Sequence, residues 1–242
     1  MTDPCATRDR TRSPALEMVA VTKVYGRGPT EVRALTDVSL TVGRGELVAV
    51  MGPSGCGKST LLHLAGGLED PTAGAIRVDG LDVPAMTAAE RASLRRTEVG
   101  YVFQRLNLVP SLTALENVML PIELKNDRDA RHKAQQLLER VGLGERGHHY
   151  PNQLSGGEQQ RVAIARAFAS QAQILFADEP TGNLDSATGA RVIDLLFALN
   201  QEYATTLVLV THDDRLARKC HRTVRLVAGE VVSDDINEEV AA

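Results

Sequence analysis

The chain has 242 residues, 43% hydrophobic and 24% charged, enough apolar material for one large domain and unlike collagen-like, coiled-coil or disordered chains. With 27 basic against 31 acidic residues the net charge is −4, so no general attraction for nucleic acid is expected. Cys5, Cys56 and Cys220 cannot pair off completely, and their wide spacing fits neither a disulfide framework nor a zinc site, which points to a reducing compartment.

In chain order, residues 1–14 are polar and read as a mobile tail without the apolar segment of a signal peptide. No stretch reaches the roughly 18 apolar residues of a membrane span, so no direct lipid insertion is expected. Partial alternation over 16–26 and 32–42 predicts antiparallel strands beside the core. The runs at 47–51 (LVAVM), 99–103 (VGYVF), 174–177 (ILFA) and 207–210 (LVLV) lack polar alternation, as parallel strands covered on both faces do. Helices are predicted over 58–64, 156–169 and 186–200. From 105 to 153, apolar residues at three- and four-residue spacing indicate an inserted helical subdomain, placed at about 106–159. The body should end near Val232, leaving 233–242 as an acidic tail. The fold class is therefore α/β, with one domain over 15–232.

Residues 52–60 read GPSGCGKST, which matches G-x-x-x-x-G-K-[ST] between a buried strand and a helix. Glycines let consecutive backbone N–H groups turn around phosphate oxygens, and the helix start behind them adds positive dipole. Gly52, Pro53, Ser54, Gly55, Cys56, Gly57, Lys58, Ser59 and Thr60 are thus the expected phosphate cradle of a nucleoside triphosphate. Lys58 should reach the β- and γ-phosphates, and the Ser59 hydroxyl should ligate Mg²⁺. Cys56 is expected to face the loop without a chemical role, so that an alkylating agent there obstructs nucleotide. Three other buried runs end in polar groups at the edge where open α/β sheets bind ligands: Gln104, the pair Asp178 and Glu179, and His212. Asp178 is the natural Mg²⁺ partner, Glu179 can orient or deprotonate the attacking water, and His212 can hydrogen-bond the γ-phosphate or that water. Without the phosphate loop, the Asp-Glu pair would read as a solvated turn and His212 as a core histidine.

Residues 154–161, LSGGEQQR, open a helix with Ser155 and Glu158 spaced as a capping box. Gly156 and Gly157 leave the backbone bare for an anion, although an ordinary capped helix has the same pattern. A helix start of this kind facing the γ-phosphate held by another molecule would make ATP a glue between two chains.

Together these motifs resemble the ATP-binding cassette (ABC) ATPase family over about residues 16–232: GPSGCGKST as Walker A, Gln104 of the Q-loop, LSGGEQQR as the signature, ILFADEP as Walker B, GNLD (182–185) as the D-loop and His212 as the switch histidine. The resemblance implies a P-loop NTPase (RecA-like) core with an antiparallel β subdomain and a helical insertion. It also implies Tyr25 as the adenine-stacking aromatic, Gln104 as a further Mg²⁺ and γ-phosphate contact, and Asp185 at the nucleotide-bearing dimer interface. Residues 90–121 and 175–189 look like the macrolide-exporter and lipoprotein-releasing subfamily, near a YbbA-like group. Those proteins pair with a permease of the FtsX/MacB type, which implies a homodimer around two MgATP, held in the cytoplasm against the inner face of the membrane. Residues 106–116 then read either as a permease-docking surface or as subdomain core. Transport and ATP-driven control of an envelope enzyme through the permease both remain open.

Arg91, Arg95 and Arg96 read as a solvated helix face, and His148-His149 lacks further ligands nearby for a metal. A GTPase is disfavoured by the lack of N-K-x-D, and a chromosome-organising protein by the short insertion.

Overall fold

The computed structural model describes residues 13–237; the expected tail at 1–12, with Cys5, and the end of the acidic tail lie outside the described residues. The strands β1 (Leu16–Tyr25) and β2 (Val32–Val42) precede β3 (Leu47–Met51) and α1 (Lys58–Ala65). Next come β4 (Ala73–Val78), β5 (Leu81–Asp82), α2 (Ala88–Thr97) and β6 (Val99–Val102). The helical stretch holds α3 (Ala114–Glu123), α4 (Ala130–Arg140) and α5 (Gly156–Ala169). The chain closes with β7 (Ile174–Asp178), α6 (Ser186–Tyr203), β8 (Thr206–Val210), α7 (Asp214–Ala217), β9 (Arg222–Val227) and β10 (Glu230–Ile236).

Among the described residues these strands form two sheets, an antiparallel one ordered β2-β1-β4-β5 and a six-stranded one ordered β10-β9-β3-β8-β7-β6. In the larger sheet β9, β3, β8, β7 and β6 are parallel, and β10 returns antiparallel to β9. The absence of polar alternation has a direct cause: successive side chains enter two different apolar layers. Ala49, Leu175, Ala177, Leu207 and Leu209 join the layer beneath the helical subdomain. Val48, Val50, Ile174, Phe176, Val208 and Val210 join the layer shared with α1 and the antiparallel sheet.

Within the helical subdomain, Asn117 is fully buried, with both its amide nitrogen and its oxygen hydrogen-bonded. Its amide donates to the carbonyls of Val109, Leu112 and Thr113, and its oxygen accepts from the Val109 N–H at 2.8 Å. One side chain therefore folds the loop that leaves β6 back onto α3.

Several expectations change. The final strand reaches Ile236, pairing Asp234 with Val224 and Ile236 with Arg222, so part of the acidic segment belongs to the sheet. The helix expected around Arg91, Arg95 and Arg96 is α2, whereas the strands β4, β5, β9 and β10 and the short helix α7 were not anticipated. Arg91 and Arg95 are not a solvated face: Arg91 Nη2 lies 2.5 Å from Asp70 Oδ1, and Arg95 Nη1 donates to the Gly67 carbonyl at 2.6 Å. Only Arg96 of that stretch is exposed. Cys56 packs against Gly52 of the loop from the apolar layer beneath it and is buried there, so its thiol is shielded from a reagent rather than open in the phosphate cradle. Burial pushes the Cys220 thiol up to about 12, which leaves it inert at neutral pH.

Candidate active site

The phosphate loop joins β3 to α1 in a conformation that only glycine fits at its tightest point. Gly57 has φ 105°, and a Cβ there would lie 2.3 Å from the Ala34 carbonyl oxygen and 2.8 Å from Leu35 Cδ2. At Gly52 the backbone passes so close to β9 that a Cβ would meet the Leu226 oxygen at 2.1 Å. The loop is braced from the C-terminal hairpin, whose Gly229 N–H donates to the Cys56 carbonyl at 3.1 Å. Gly57 is the N-cap of α1 and brings no side chain to the N–H groups at the helix start. Lys58 is buried, and its Nζ donates to the carbonyls of Gly52 and Pro53 at 2.8 and 2.9 Å, which fixes the ammonium over the loop.

Three parallel strands deliver their polar ends to the same edge. Asp178 closes β7, buried, with its Oδ1 lacking a hydrogen-bond partner. Burial raises its pKa and the neighbouring Glu179 charge adds to that, while a hydrogen bond with Ser59 works against both. A buried carboxylate oxygen without a donor, joined to a hydroxyl at the start of α1, is a donor set that a hard divalent cation satisfies.

Glu179 follows with φ 42°, a strained backbone held by its N–H bond to the Val210 carbonyl at 3.0 Å and by its own carbonyl, which accepts from Gly182 N–H. His212 Nδ1 stands 3.6 Å from Glu179 Oε2, too far for a direct hydrogen bond, and its ring is largely exposed. Gln104 leaves β6 on the other side: a Cβ at Gly182 would lie 3.4 Å from Glu179 Oε2 and 3.6 Å from Gln104 Nε2. The structure thus brings together Lys58, Ser59, Gln104, Asp178, Glu179 and His212.

Tyr25 ends β1 with 37% of its surface exposed. Its hydroxyl donates to Glu69 Oε2 at 2.7 Å, and burial together with that bond raises the phenol pKa, so it stays a donor at neutral pH. Glu69 was not singled out from the sequence, because nothing local marks an acid in the turn after α1 as the neighbour of β1.

The signature lies elsewhere. Ser155 and Glu158 form the expected reciprocal cap, with Ser155 N–H to Glu158 Oε2 at 2.8 Å and Glu158 N–H to Ser155 Oγ at 3.3 Å. With Gly156 and Gly157 they line an open cavity of about 800 Å³ whose other wall is Asn183, Asp185 and Thr188, and which includes no residue of 52–60. Asp185 spends its carboxylate on capping α6, accepting from the N–H groups of Ala187 and Thr188 at 3.1 and 3.0 Å. Of 106–116, Leu108 packs on the core and Ala114 and Leu115 are buried in it, whereas Asn107 opens onto a groove between α2, β6 and α3. That groove is lined by Leu68, Phe103, Leu120, Pro121, Leu124 and Arg166.

A parallel sheet with a phosphate loop and acidic strand ends defines a nucleoside triphosphatase of the P-loop class. The chain belongs to the ABC transporter family, whose model matches residues 35–182. It is 51% identical over 218 residues to the ABC transporter ATP-binding protein YbbA of Escherichia coli strain K12, covering 89% of this chain and 96% of that one. It is 47% identical over 226 residues to the macrolide export ATP-binding/permease protein MacB 1/2 of Paracoccus denitrificans, covering 93% of this chain and 34% of that protein. A solved dimer of the ATP-binding cassette MJ0796 in a post-hydrolysis state with ADP and Pi superposes with a TM-score of 0.86 at 43% identity, over 92% of this chain and 99% of that one. The chain is an ABC ATPase cassette, the ATP-binding subunit of an ABC transporter. Among the described residues no helix is long and apolar enough to cross a membrane.

Proposed function

We propose that two copies of this chain close around two ATP molecules with Mg²⁺ and, by hydrolysing them, drive a separately encoded permease of the FtsX/MacB type. The observation that carries this reading is the signature helix start: capped, and opening on a cavity that no phosphate-loop residue of its own chain lines. A second copy would supply the missing face, a reading supported by the dimeric state of the related MJ0796 cassette bound to ADP and Pi.

In this reading the loop N–H groups and Lys58 hold the triphosphate, and Tyr25 stacks on adenine. Mg²⁺, held by Ser59, Asp178 and Gln104, supplies charge neutralisation at the β- and γ-phosphates. Glu179 orients the attacking water and accepts its proton, while His212 bonds the γ-phosphate. Asp185 contributes to the interface by setting the start of α6 rather than by offering a free carboxylate.

Replacing Ser155→Arg should lower turnover at least about a hundredfold, by blocking the paired site, while MgATP affinity measured by calorimetry stays within about twofold. Retention of turnover would remove the paired-site mechanism. The apolar groove at Leu68, Phe103, Leu120 and Leu124 fits a short permease helix, which would place the chain on the inner face of the membrane. Leu124, with 54% of its surface exposed, tests this. A complex of the chain with an integral-membrane permease should be recovered in detergent, and Leu124→Asp should abolish it without altering MgATP affinity. Equal recovery of the variant would move the docking site elsewhere.

A further inference from the structure

The Tyr25 hydroxyl is tethered by a cluster that the hydrolysis chemistry does not use. Glu69 Oε2 accepts the phenol hydrogen bond at 2.7 Å and lies 3.2 Å from Lys23 Nζ, while Glu69 Oε1 lies 3.4 Å from His63 Nδ1. Lys23 is itself fixed, donating to the Asp70 carbonyl at 2.7 Å, and its ammonium stands 4.8 Å from the centre of the Tyr25 ring. The Asp70 side chain is in turn paired with Arg91 of α2. The acceptor that receives the phenol therefore belongs to a turn anchored to three elements: β1, α1 and α2.

An aromatic ring at the exposed end of a strand otherwise samples several χ1 wells, and a ligand that stacks on it must select one of them. A hydroxyl bonded to a charged, immobilised carboxylate removes that freedom before the ligand arrives.

We propose that Glu69 is a positioning residue for base recognition: it holds the Tyr25 ring in the orientation that stacks on adenine. This rests on the stacking role given to Tyr25 above. Glu69 itself bonds Tyr25, Lys23 and His63, while the Tyr25 hydroxyl it receives also hydrogen-bonds Thr60 at the end of the phosphate loop, so the contribution of Glu69 is to the placement of the ring.

The test compares two ligands on the full-length chain, MgATP and magnesium tripolyphosphate, by calorimetry. The first reads base and phosphate contacts together and the second reads phosphate contacts alone. Glu69→Ala should weaken MgATP about 3- to 10-fold, the range expected for the net worth of one ordinary hydrogen bond, and leave tripolyphosphate affinity unchanged. Tyr25→Phe should lose at least as much, since it also removes the hydroxyl's bond with Thr60, and adding Glu69→Ala to Tyr25→Phe should cost nothing further, because the Glu69 bond is already gone. Glu69→Gln should restore part of the loss, since its amide oxygen still accepts from the phenol. Equal weakening of both ligands by Glu69→Ala, or no weakening of either, would overturn the proposal. Tyr25→Ala separates the two layers. If it weakens MgATP selectively while Glu69→Ala does not, only the positioning role fails. If Tyr25→Ala leaves MgATP affinity intact, the stacking role fails and the positioning role with it.

Discussion

Glu179→Gln should cut ATP turnover by on the order of 10²- to 10⁴-fold, the range for removal of a positioned general base. The amide keeps the size of the carboxylate, so the strained backbone at φ 42° and its bond to Val210 persist. Lys58 and the loop N–H groups are untouched, and MgATP affinity should therefore stay within a few-fold of the parent. With binding kept and cleavage blocked, the two-copy complex should accumulate, visible as an ATP-dependent shift from monomer to dimer in light scattering. Undiminished turnover would exclude Glu179 as the base and leave His212, 3.6 Å away, as the next group to examine.

Gly57→Ala should abolish nucleotide binding and also destabilise the fold. The added Cβ meets the Ala34 oxygen at 2.3 Å, a backbone atom that cannot turn aside as a side-chain tip would, and φ 105° is a conformation that alanine rarely adopts. Strain of this kind and overpacking each cost about 1–3 kcal/mol, so a loss of roughly 2–6 kcal/mol is expected. For a chain of this size that lowers the Tm by about 5–20 °C. Thermal denaturation and a MgATP titration check both parts, and a variant with the parent Tm and affinity would mean that the loop relaxes without cost.

The phosphate loop, the strand ends and the signature cap were legible because each is written in contiguous residues. Helix α2 left a readable mark, Thr87 and Glu90 at capping-box spacing, which the structure shows as a reciprocal cap. Its arginines read as solvated because Asp70 and Gly67, which Arg91 and Arg95 contact, lie far from them in sequence. The strands β9 and β10 were missed for a related reason: the turn at Ala228 and Gly229 follows apolar residues only one strand deep, and acidic side chains hide the return strand. The role of Asp185 as the cap of α6 is legible in its position immediately before Ser186. The meeting of Tyr25 with Glu69 had no sequence signal, since it depends on where β1 lies against the turn after α1.

Strand β3, which carries the phosphate loop, hydrogen-bonds to β8 and β9, whose residues lie between Thr206 and Val227. A nascent chain leaving the ribosome has therefore translated Walker A, signature and Walker B before it makes either neighbour of the strand that bears the first of them. The strand that carries the cradle thus gains both of its neighbours only from residues made after all three motifs. A chain truncated before Arg222 carries every motif needed for hydrolysis but lacks one wall of the sheet that shapes them.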